Sequence, residues 1–241
     1  LENVPLDDQT REGDFAAEQP GFPPSCAFPL EHIARRIPDQ RGSAPAFVVF
    51  LTCDMSGVLP LVSLLDTESA TYYFLCGYSM PLESAEENAA THFSACFGDD
   101  LLPLPAAAYA DLLLKKLTGS GCPVYLVNTG WTGRPDGGKR IPLAAIRAVI
   151  SAIQKGELMD CETTSLPVFN LRIPRQLTGL DAALLKPCEA WQDPEAYARE
   201  AEGLARRFVA HIGRFADLSP AILNAGPQPT AATIEPVTFK P

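Results

Sequence analysis

The chain contains 241 residues, of which 46% are hydrophobic and 20% are charged, and its formal net charge is −10. This length and apolar content suit one large domain or two small ones. The acidic balance argues against general binding to nucleic acid or anionic lipid, because both need clustered Lys and Arg. No apolar run approaches the roughly 20 residues of a membrane-spanning helix, and no charged-then-apolar leader opens the sequence. We therefore expect neither a membrane span nor a signal peptide.

Residues 1–45 are rich in Pro, Gly, Asp and Glu and lack periodicity, which predicts an extended arm with loops. Short apolar runs farther along predict buried strands, and one alternating segment predicts another strand. The predicted strands are residues 46–52, 72–76, 124–127 and 168–173.

Three longer segments carry apolar residues at helical spacing. The predicted helices and their apolar faces are residues 106–117 (Tyr109, Leu112, Leu113, Leu117), 142–154 (Leu143, Ile146, Val149, Ile150, Ile153) and 193–212 (Tyr197, Ala201, Leu204, Ala205, Phe208, Ile212). The mixed order of strands and helices indicates an α/β class, with a mixed sheet and flanking helices over residues 46–216. Residues 217–241 are rich in Pro, Ala and Thr, and they predict a disordered tail or a segment laid along a partner.

Seven cysteines are spread along the chain, an odd number without a Cys-x-x-Cys pair. Zinc sites use closely spaced cysteines, and disulfide frameworks use an even number of cysteines. We expect buried, reduced thiols, which are typical of the cytoplasm or the mitochondrial matrix. The seven are Cys26, Cys53, Cys76, Cys96, Cys122, Cys161 and Cys188. The three histidines are scattered, so the sequence predicts no metal site.

A glycine-rich loop, residues 128–133, follows a predicted strand and leads through residues 134–141 into a predicted helix. Such a loop can present backbone N–H groups to an anion, and Lys139 and Arg140 would add positive charge. Residues 133–139 match Gly-x-x-x-x-Gly-Lys, but a phosphate loop needs Ser or Thr where this chain has Arg140. Pro135 also lacks a backbone donor. The residues alone leave open both nucleotide or anion contact and a plain turn.

Five strings of the sequence form an ordered series. They are residues 48–60 (VVFLTCDMSGVLP), 93–98 (FSACFG), 125–131 (YLVNTGW), 138–141 (GKRI) and 166–171 (LPVFNL). In this order they resemble the C-terminal part of ATP-dependent phosphoenolpyruvate carboxykinases. The resemblance runs from about residue 1 to residue 228.

The resemblance implies the C-terminal lobe of the carboxykinase fold. Such enzymes decarboxylate oxaloacetate and transfer the γ-phosphate of ATP to the enolate, and their phosphate loop, metal ligands and carboxylate-binding Arg come from upstream sequence. The part matched here supplies the adenine side of the nucleotide pocket. By resemblance, the nucleotide-binding positions are Asn128, Thr129, Gly130, Lys139, Arg140, Ile141 and Ile146. We expect the chain alone to bind no cofactor, whereas ATP and a divalent metal would bind if an upstream half completed the site.

The departures from the family pattern fall at positions tied to chemistry. Ser25 occupies the place of an Arg that reaches the transferring phosphate, and serine cannot offer a charged fork to a phosphoryl group. Ile146 replaces a Thr, and residues 79–81 (SMP) replace TAK. Apolar strings match while charged ones differ, which favours a fold kept for packing after its catalysis was lost. We therefore assign no catalytic residue.

These features predict a catalytically inactive, carboxykinase-like domain kept as an accessory or structural subunit of a larger assembly. Two alternatives remain open. The chain could be a C-terminal fragment or split half of an active carboxykinase, or it could be a non-catalytic adenine-nucleotide-binding module. A domain without its upstream half would expose apolar surface, so we expect a protein partner. That partner would be an N-terminal carboxykinase half or a multi-subunit complex.

Overall fold

The described residues include nine strands, and five of them make one mixed sheet. The computed structural model describes residues 4–14, 27–37, 41–80, 91–133 and 138–230. The strands are β1 (Val48–Thr52), β2 (Val62–Leu65), β3 (Tyr78–Ser79), β4 (His92–Phe93), β5 (Val124–Asn128), β6 (Trp131–Thr132), β7 (Lys139–Arg140), β8 (Thr163–Leu166) and β9 (Leu171–Pro174). The strand order of the large sheet is β1-β5-β2-β9-β8.

The large sheet combines parallel and antiparallel pairs, as the predicted α/β class with a mixed sheet requires. β1 runs parallel to β5, with Phe50 opposite Leu126. β2 is antiparallel to both β5 and β9, and β8 and β9 form a hairpin. The strands predicted at residues 46–52 and 124–127 are confirmed as β1 and β5.

Helices pack against the sheet and around its ends. They are α1 (Thr67–Cys76), α2 (Ala106–Ser120), α3 (Leu143–Gln154), α4 (Ala182–Leu185), α5 (Pro194–Ile212) and α6 (Pro220–Ala225).

The chain divides into two units, a smaller one of Leu1–Pro45 with Met80–His92 and a larger one of Ala46–Ser79 with Phe93–Pro241. In the smaller unit, Asp7 Oδ1 accepts hydrogen bonds from the backbone N–H groups of Gln9 and Thr10 at 2.9 and 2.7 Å.

The strand predicted at residues 72–76 is wrong, because this segment is the second half of α1. The Asp66 side chain caps the helix by accepting a hydrogen bond from Ser69 N at 2.8 Å. Gly77 ends the helix in the left-handed conformation, at φ 50°. Seven of its ten residues are buried, so no polar face reveals the helical period. A short, fully apolar run of this kind cannot be told from a strand by pattern alone.

The strand predicted at residues 168–173 is only partly correct. β9 begins at Leu171, and residues 167–170 form the turn of the β8–β9 hairpin. Val168 has a φ of 70°, a conformation that β-branched residues rarely adopt, and Asn170 has a φ of 53°. The Val168 carbonyl accepts a hydrogen bond from Gln228 N at 2.6 Å, and the Asn170 amide reaches the end of α6. These distant contacts hold the turn, so the local sequence predicts it poorly.

The three predicted helices all form, but two of the predicted apolar faces need correction. Leu112 of α2 is 51% exposed and Leu143 of α3 is 57% exposed, although both were expected to be buried. In α2 the small residue Ala110 takes a buried position, and in α3 Ala145 does so. The face predicted for α5 is confirmed, with Tyr197 partly buried and the other five residues buried.

The two faces of the large sheet pack into two separate apolar cores. Alternation along β5 divides its side chains, since Leu126 joins the first core while Tyr125 and Val127 join the second. The first core lies among α1, α2 and α5 and includes Phe208. The second core is built on α3 and includes Val149. Both faces of β1 and β5 are thereby packed, which holds in place the ends from which the next loops start.

The C-terminal segment differs from the predicted disordered or partner-bound tail within the described residues. Ser219 caps α6, and Ile222 is buried in the first core. Gly226 lies so close to the Tyr72 ring that an added Cβ would be 2.2 Å from it. Residues 231–241 lie outside the described residues. Within the described ranges, no helix has the length and apolarity to cross a membrane.

The six described cysteines are reduced, but only two match the expected burial. Cys53 and Cys76 are buried, whereas Cys188 is exposed in a 3-10 turn, Pro187–Ala190. The other three are intermediate. Cys26 lies outside the described residues.

Candidate functional site

Two loops meet where β1 and β5 end, at one edge of the sheet. Because these strands are parallel, their carboxyl ends lie side by side, the usual place for a ligand in an α/β sheet. Backbone hydrogen bonds join the loops directly, from Thr129 N to Thr52 O at 2.8 Å and from Trp131 N to Asp54 O at 2.7 Å. The Thr129 hydroxyl also donates to Thr52 O at 3.0 Å. The glycine-rich loop is therefore fixed to the end of β1.

Asn128 is fully buried and holds both loops through its side chain. Its Oδ1 accepts hydrogen bonds from Asp54 N at 3.0 Å and Gly130 N at 2.9 Å. Its Nδ2 donates to Leu59 O at 3.1 Å. Because its donor and its acceptor are both engaged in these hydrogen bonds, the Asn128 amide shapes the loop and is not available to a ligand.

Asp54 is also fully buried, and its carboxylate organises the loop after β1. Oδ1 accepts hydrogen bonds from Ser56 N and Ser56 Oγ at 2.9 and 2.6 Å, and from the Tyr78 hydroxyl at 3.3 Å. Oδ2 accepts from Val58 N and Leu59 N at 2.8 and 2.9 Å. Five donors compensate the burial of one charge, so this carboxylate has a structural role. The sequence analysis quoted Asp54 within a matched string but assigned it no role.

Two glycines allow the loops to approach each other closely. A Cβ on Gly130 would lie 2.1 Å from Asp54 O, and a Cβ on Gly57 would lie 2.0 Å from Gly133 O. Gly57 also has φ 71°, which favours glycine. The buried side chain of Trp191 also holds this loop, because its Nε1–H donates a hydrogen bond to Gly57 O at 3.0 Å.

The hairpin of β6 and β7 follows these two joined loops and carries two cationic side chains. Trp131 pairs with Arg140, and the Arg140 guanidinium lies over the Trp131 ring at 5.2 Å from its centroid. Lys139 and Arg140 are exposed. The hairpin is tied down by a hydrogen bond from Ile141 N to Gly130 O at 2.8 Å. The residues between the two strands, 134–137, lie outside the described part of the chain.

The predicted nucleotide-binding residues therefore occupy different environments. Asn128, Thr129 and Gly130 form the fixed loop, and Lys139 and Arg140 project from the hairpin beside it. Ile141 is only 3% exposed and packs in the second core, where Ile146 is partly buried. Ser25 lies outside the described residues.

Cys53 lies at the junction of the two loops and was not singled out by sequence. Its side chain is buried beside Thr129 and Arg140. Burial raises the pKa of the Cys53 thiol, and neighbouring Asp54 adds to that rise, while Thr129 and Arg140 oppose it. A raised pKa keeps this sulfur protonated near neutral pH, which disfavours a role as nucleophile.

Within the described segments, no group of three or more His, Cys, Asp or Glu side chains is placed to hold a metal ion. The described site offers cationic and aromatic groups, which suit a purine base and phosphate oxygens. Bound ATP and a divalent metal remain predictions for a completed protein.

The fold and site define a mixed α/β domain that presents a cationic hairpin at the carboxyl edge of its sheet. Residues 1–183 match the family model described as phosphoenolpyruvate carboxykinase, in its ATP form. The chain belongs to this family.

Curated relatives extend the match to almost the whole chain. The ATP-type phosphoenolpyruvate carboxykinase of Caldanaerobacter subterraneus is 42% identical over 233 residues, 95% of this chain and 44% of that protein. Those of Geobacillus kaustophilus and Campylobacter lari are 41% and 40% identical over 231 and 223 residues, which are 94% and 90% of this chain and 44% and 42% of those proteins. The chain thus spans less than half the length of these relatives and corresponds to their C-terminal part.

Proposed function

We propose that this chain is the C-terminal part of an ATP-dependent phosphoenolpyruvate carboxykinase and works together with an upstream part of the same enzyme. The complete enzyme would convert oxaloacetate and ATP to phosphoenolpyruvate, ADP and CO2. Family membership and identities near 40% support this proposal. The share of 44% of the relative's length supports the need for a further part.

One observation carries the proposal, namely the Arg140 guanidinium over the Trp131 ring on a hairpin whose base is held by hydrogen bonds. The buried side chains of Asp54 and Asn128 hold that base with eight hydrogen bonds. The carboxylate accepts five, and the amide accepts two and donates one. Preorganised cationic groups bind ligands well because little freedom is lost on binding. Arg140 would therefore hold the base side of a nucleotide, and Lys139 would add positive charge on the other face of the hairpin.

In the completed enzyme, ATP supplies the phosphoryl group and the upstream part supplies the groups that hold its phosphates. Our chain would orient the nucleotide from its adenine end and exclude water from that side of the pocket. Positioning of this kind accounts for much of the catalysis in phosphoryl transfer.

Nucleotide binding is testable with the chain produced together with the upstream part of the Caldanaerobacter subterraneus enzyme. We expect ATP and ADP to quench the fluorescence of Trp131, and Arg140→Ala to weaken binding about tenfold through loss of the stacked cation. Lys116→Ala is the matched control, because Lys116 is exposed near the C-terminal end of α2, which leads into the amino end of β5, opposite the site. Equal binding by wild type and both variants would contradict the assignment of Arg140.

Turnover requires the completed protein. We would produce the chain together with the upstream part of the Caldanaerobacter subterraneus enzyme and measure oxaloacetate-dependent formation of phosphoenolpyruvate. Activity that appears only with both parts would support the proposal. A folded, nucleotide-binding complex without activity would oppose it.

A non-catalytic accessory subunit is the second candidate, and Ser25 favours it. This residue stands where the resemblance places an Arg that reaches the transferring phosphate. Replacing such an Arg can reduce turnover by orders of magnitude. Mass spectrometry of the gently purified native particle separates the two candidates. An upstream carboxykinase part as the stoichiometric companion favours the enzyme, whereas unrelated subunits without that part favour the accessory role.

A further inference from the structure

A polar cavity of about 320 Å³ lies where β2 ends and the β8–β9 hairpin turns. Its volume falls in the range of small-molecule sites in proteins. Leu65, the last residue of β2, pairs with Val124, the first residue of β5. The cavity is therefore at the opposite end of the sheet from the glycine-rich loop, which follows the carboxyl end of β5.

One part of the cavity carries hydrogen-bond donors. Arg172 of β9 lies opposite Leu64 of β2 on one side and opposite Ser165 of β8 on the other, so the three form a row across the sheet. The Arg172 side chain is exposed, and it makes no ion pair or hydrogen bond with the described residues. The hydroxyls of Ser165 and Thr163 likewise have no partner within those ranges. A guanidinium beside hydroxyl groups suits a carboxylate.

The end of the cavity at the hairpin turn carries acceptors. Asp66 directly follows β2 and Asn170 directly precedes β9, and these antiparallel strands bring both residues to the same end. Asp66 Oδ1 is engaged in capping α1 through Ser69, whereas Oδ2 accepts from no described residue. The Asn170 Nδ2 donates to two carbonyls at the end of α6, and no described group donates to its Oδ1. Two such acceptors, one of them charged, suit an ammonium group.

The two charges of the cavity do not neutralise each other. Arg172 and Asp66 both line it, yet no ion pair joins them in the described part of the chain. The other lining side chains are neutral, Thr164 and Ala225 among them. A molecule that carries both charges and an uncharged remainder therefore matches this lining, whereas a simple anion would be repelled by Asp66.

We propose that this cavity binds a small zwitterion, namely an α-amino acid with an uncharged side chain. Its carboxylate would lie at Arg172 and Ser165, and its ammonium group at Asp66 and Asn170. A single exposed ion pair binds weakly, but two ion pairs of opposite sense also fix the orientation of the ligand. The proposal does not depend on carboxykinase activity, because none of these residues belongs to the glycine-rich loop or its hairpin.

The test uses the full 241-residue chain, produced together with the upstream part of the Caldanaerobacter subterraneus enzyme. Calorimetric titration with L-serine, L-threonine and L-glutamine should give a Kd below about 1 mM for at least one of them. Arg172→Gln and Asp66→Asn should each weaken that binding at least about tenfold, and asparagine preserves the cap of α1. Arg147→Gln is the matched control, because Arg147 is exposed on α3 outside the cavity, and we expect no change.

Analogues of the tightest ligand separate a zwitterion site from a simple ion site. We expect the analogue without the ammonium group and the analogue without the carboxylate each to bind at least about tenfold more weakly. Equal binding of the deaminated analogue, together with no effect of Asp66→Asn, would make the cavity a plain anion site and overturn the proposal.

Two further results would overturn it. One is the absence of binding by all three amino acids up to about 10 mM. The other is binding that Arg172→Gln and Asp66→Asn both leave unchanged, since the ligand would then be held elsewhere in the complex. Amino-acid binding that both variants weaken, in a complex without carboxykinase activity, would support this proposal while opposing the proposed function.

Discussion

Asp54→Asn is the change that tests most directly whether the buried network builds the site. Asparagine has nearly the same shape, but its amide nitrogen cannot accept a hydrogen bond from N–H. The nitrogen would take the Oδ1 position, since the Ser56 and Tyr78 hydroxyls there can turn to accept. The Ser56 N–H cannot turn, so one backbone hydrogen bond is lost.

The expected cost follows from that count. A hydrogen bond to a charged group contributes about 1.5–3 kcal/mol, and the remaining bonds lose their charge assistance. We expect Asp54→Asn to lower the free energy of unfolding by about 2–4 kcal/mol, a large share of the roughly 5–15 kcal/mol typical of a domain. Urea unfolding followed by tryptophan fluorescence measures it, because Trp191 is bonded to the affected loop through Gly57.

Asp66→Asn is the matched control for this experiment. Asp66 caps α1 by accepting from Ser69 N and Ser69 Oγ. Asparagine caps a helix about as well as aspartate, so we expect a change below about 0.5 kcal/mol. If Asp54→Asn costs no more than Asp66→Asn, the argument that Asp54 organises the loop is refuted.

Three further predictions concern Gly130 in the glycine-rich loop, His211, which is buried on α5, and Ser25. Gly130→Ala should lower the free energy of unfolding by at least about 2 kcal/mol, because its Cβ would meet Asp54 O at 2.1 Å. The control Gly119→Ala lies in α2 with nothing within 4 Å of its Cβ, and it should raise that free energy by about 0.5–1 kcal/mol. Urea unfolding of both variants measures the difference. Burial, reinforced by Arg214, lowers the pKa of His211, so stability should fall as pH drops below about 6.5, and His211→Gln should lessen that fall. Ser25→Arg should raise turnover of the completed enzyme at least about tenfold if the loss of an Arg limits it.

The sign of the His211 effect comes from the unfolded state. An unfolded histidine with a pKa near 6.5 binds a proton that the folded, buried ring resists. Stability is therefore fully present above about pH 6.5 and decreases below it until the folded ring also titrates. A wild type and a His211→Gln variant with identical pH dependence between about pH 5 and 7 would contradict this account.

The sequence predicts correctly those helices and strands whose structure depends mainly on residues that are neighbours in the chain. The α5 helix combines a cap at Asp193 with a full apolar stripe, and its boundaries and buried face follow from the sequence. The glycine-rich loop was found because strand, loop and helix follow one another in the chain. The strand predicted at residues 72–76 fails for the opposite reason, since burial on most sides removes the polar face that reveals a helix.

The inner part of the site depends on contacts that no local pattern shows. Asp54 and Asn128 are 74 residues apart in sequence and meet only because β1 pairs with β5. Their residue types, taken alone, indicate turn formation. Likewise, helical spacing gave the faces of α2 and α3, but only packing determines that Leu112 and Leu143 remain exposed.

The joining of the two loops has a consequence for how the domain opens. The hydrogen bonds from Asp54 N to Asn128 Oδ1 and from Trp131 N to Asp54 O tie the start of the cationic hairpin to the ends of the paired strands β1 and β5. The hairpin therefore cannot unfold by itself as a separate, low-energy fluctuation. We expect the Gly130 and Trp131 amides to exchange only through an opening that also separates β1 from β5. A nucleotide bound at Arg140 would then stabilise the whole domain, and its affinity could be measured as a rise in Tm with ligand concentration.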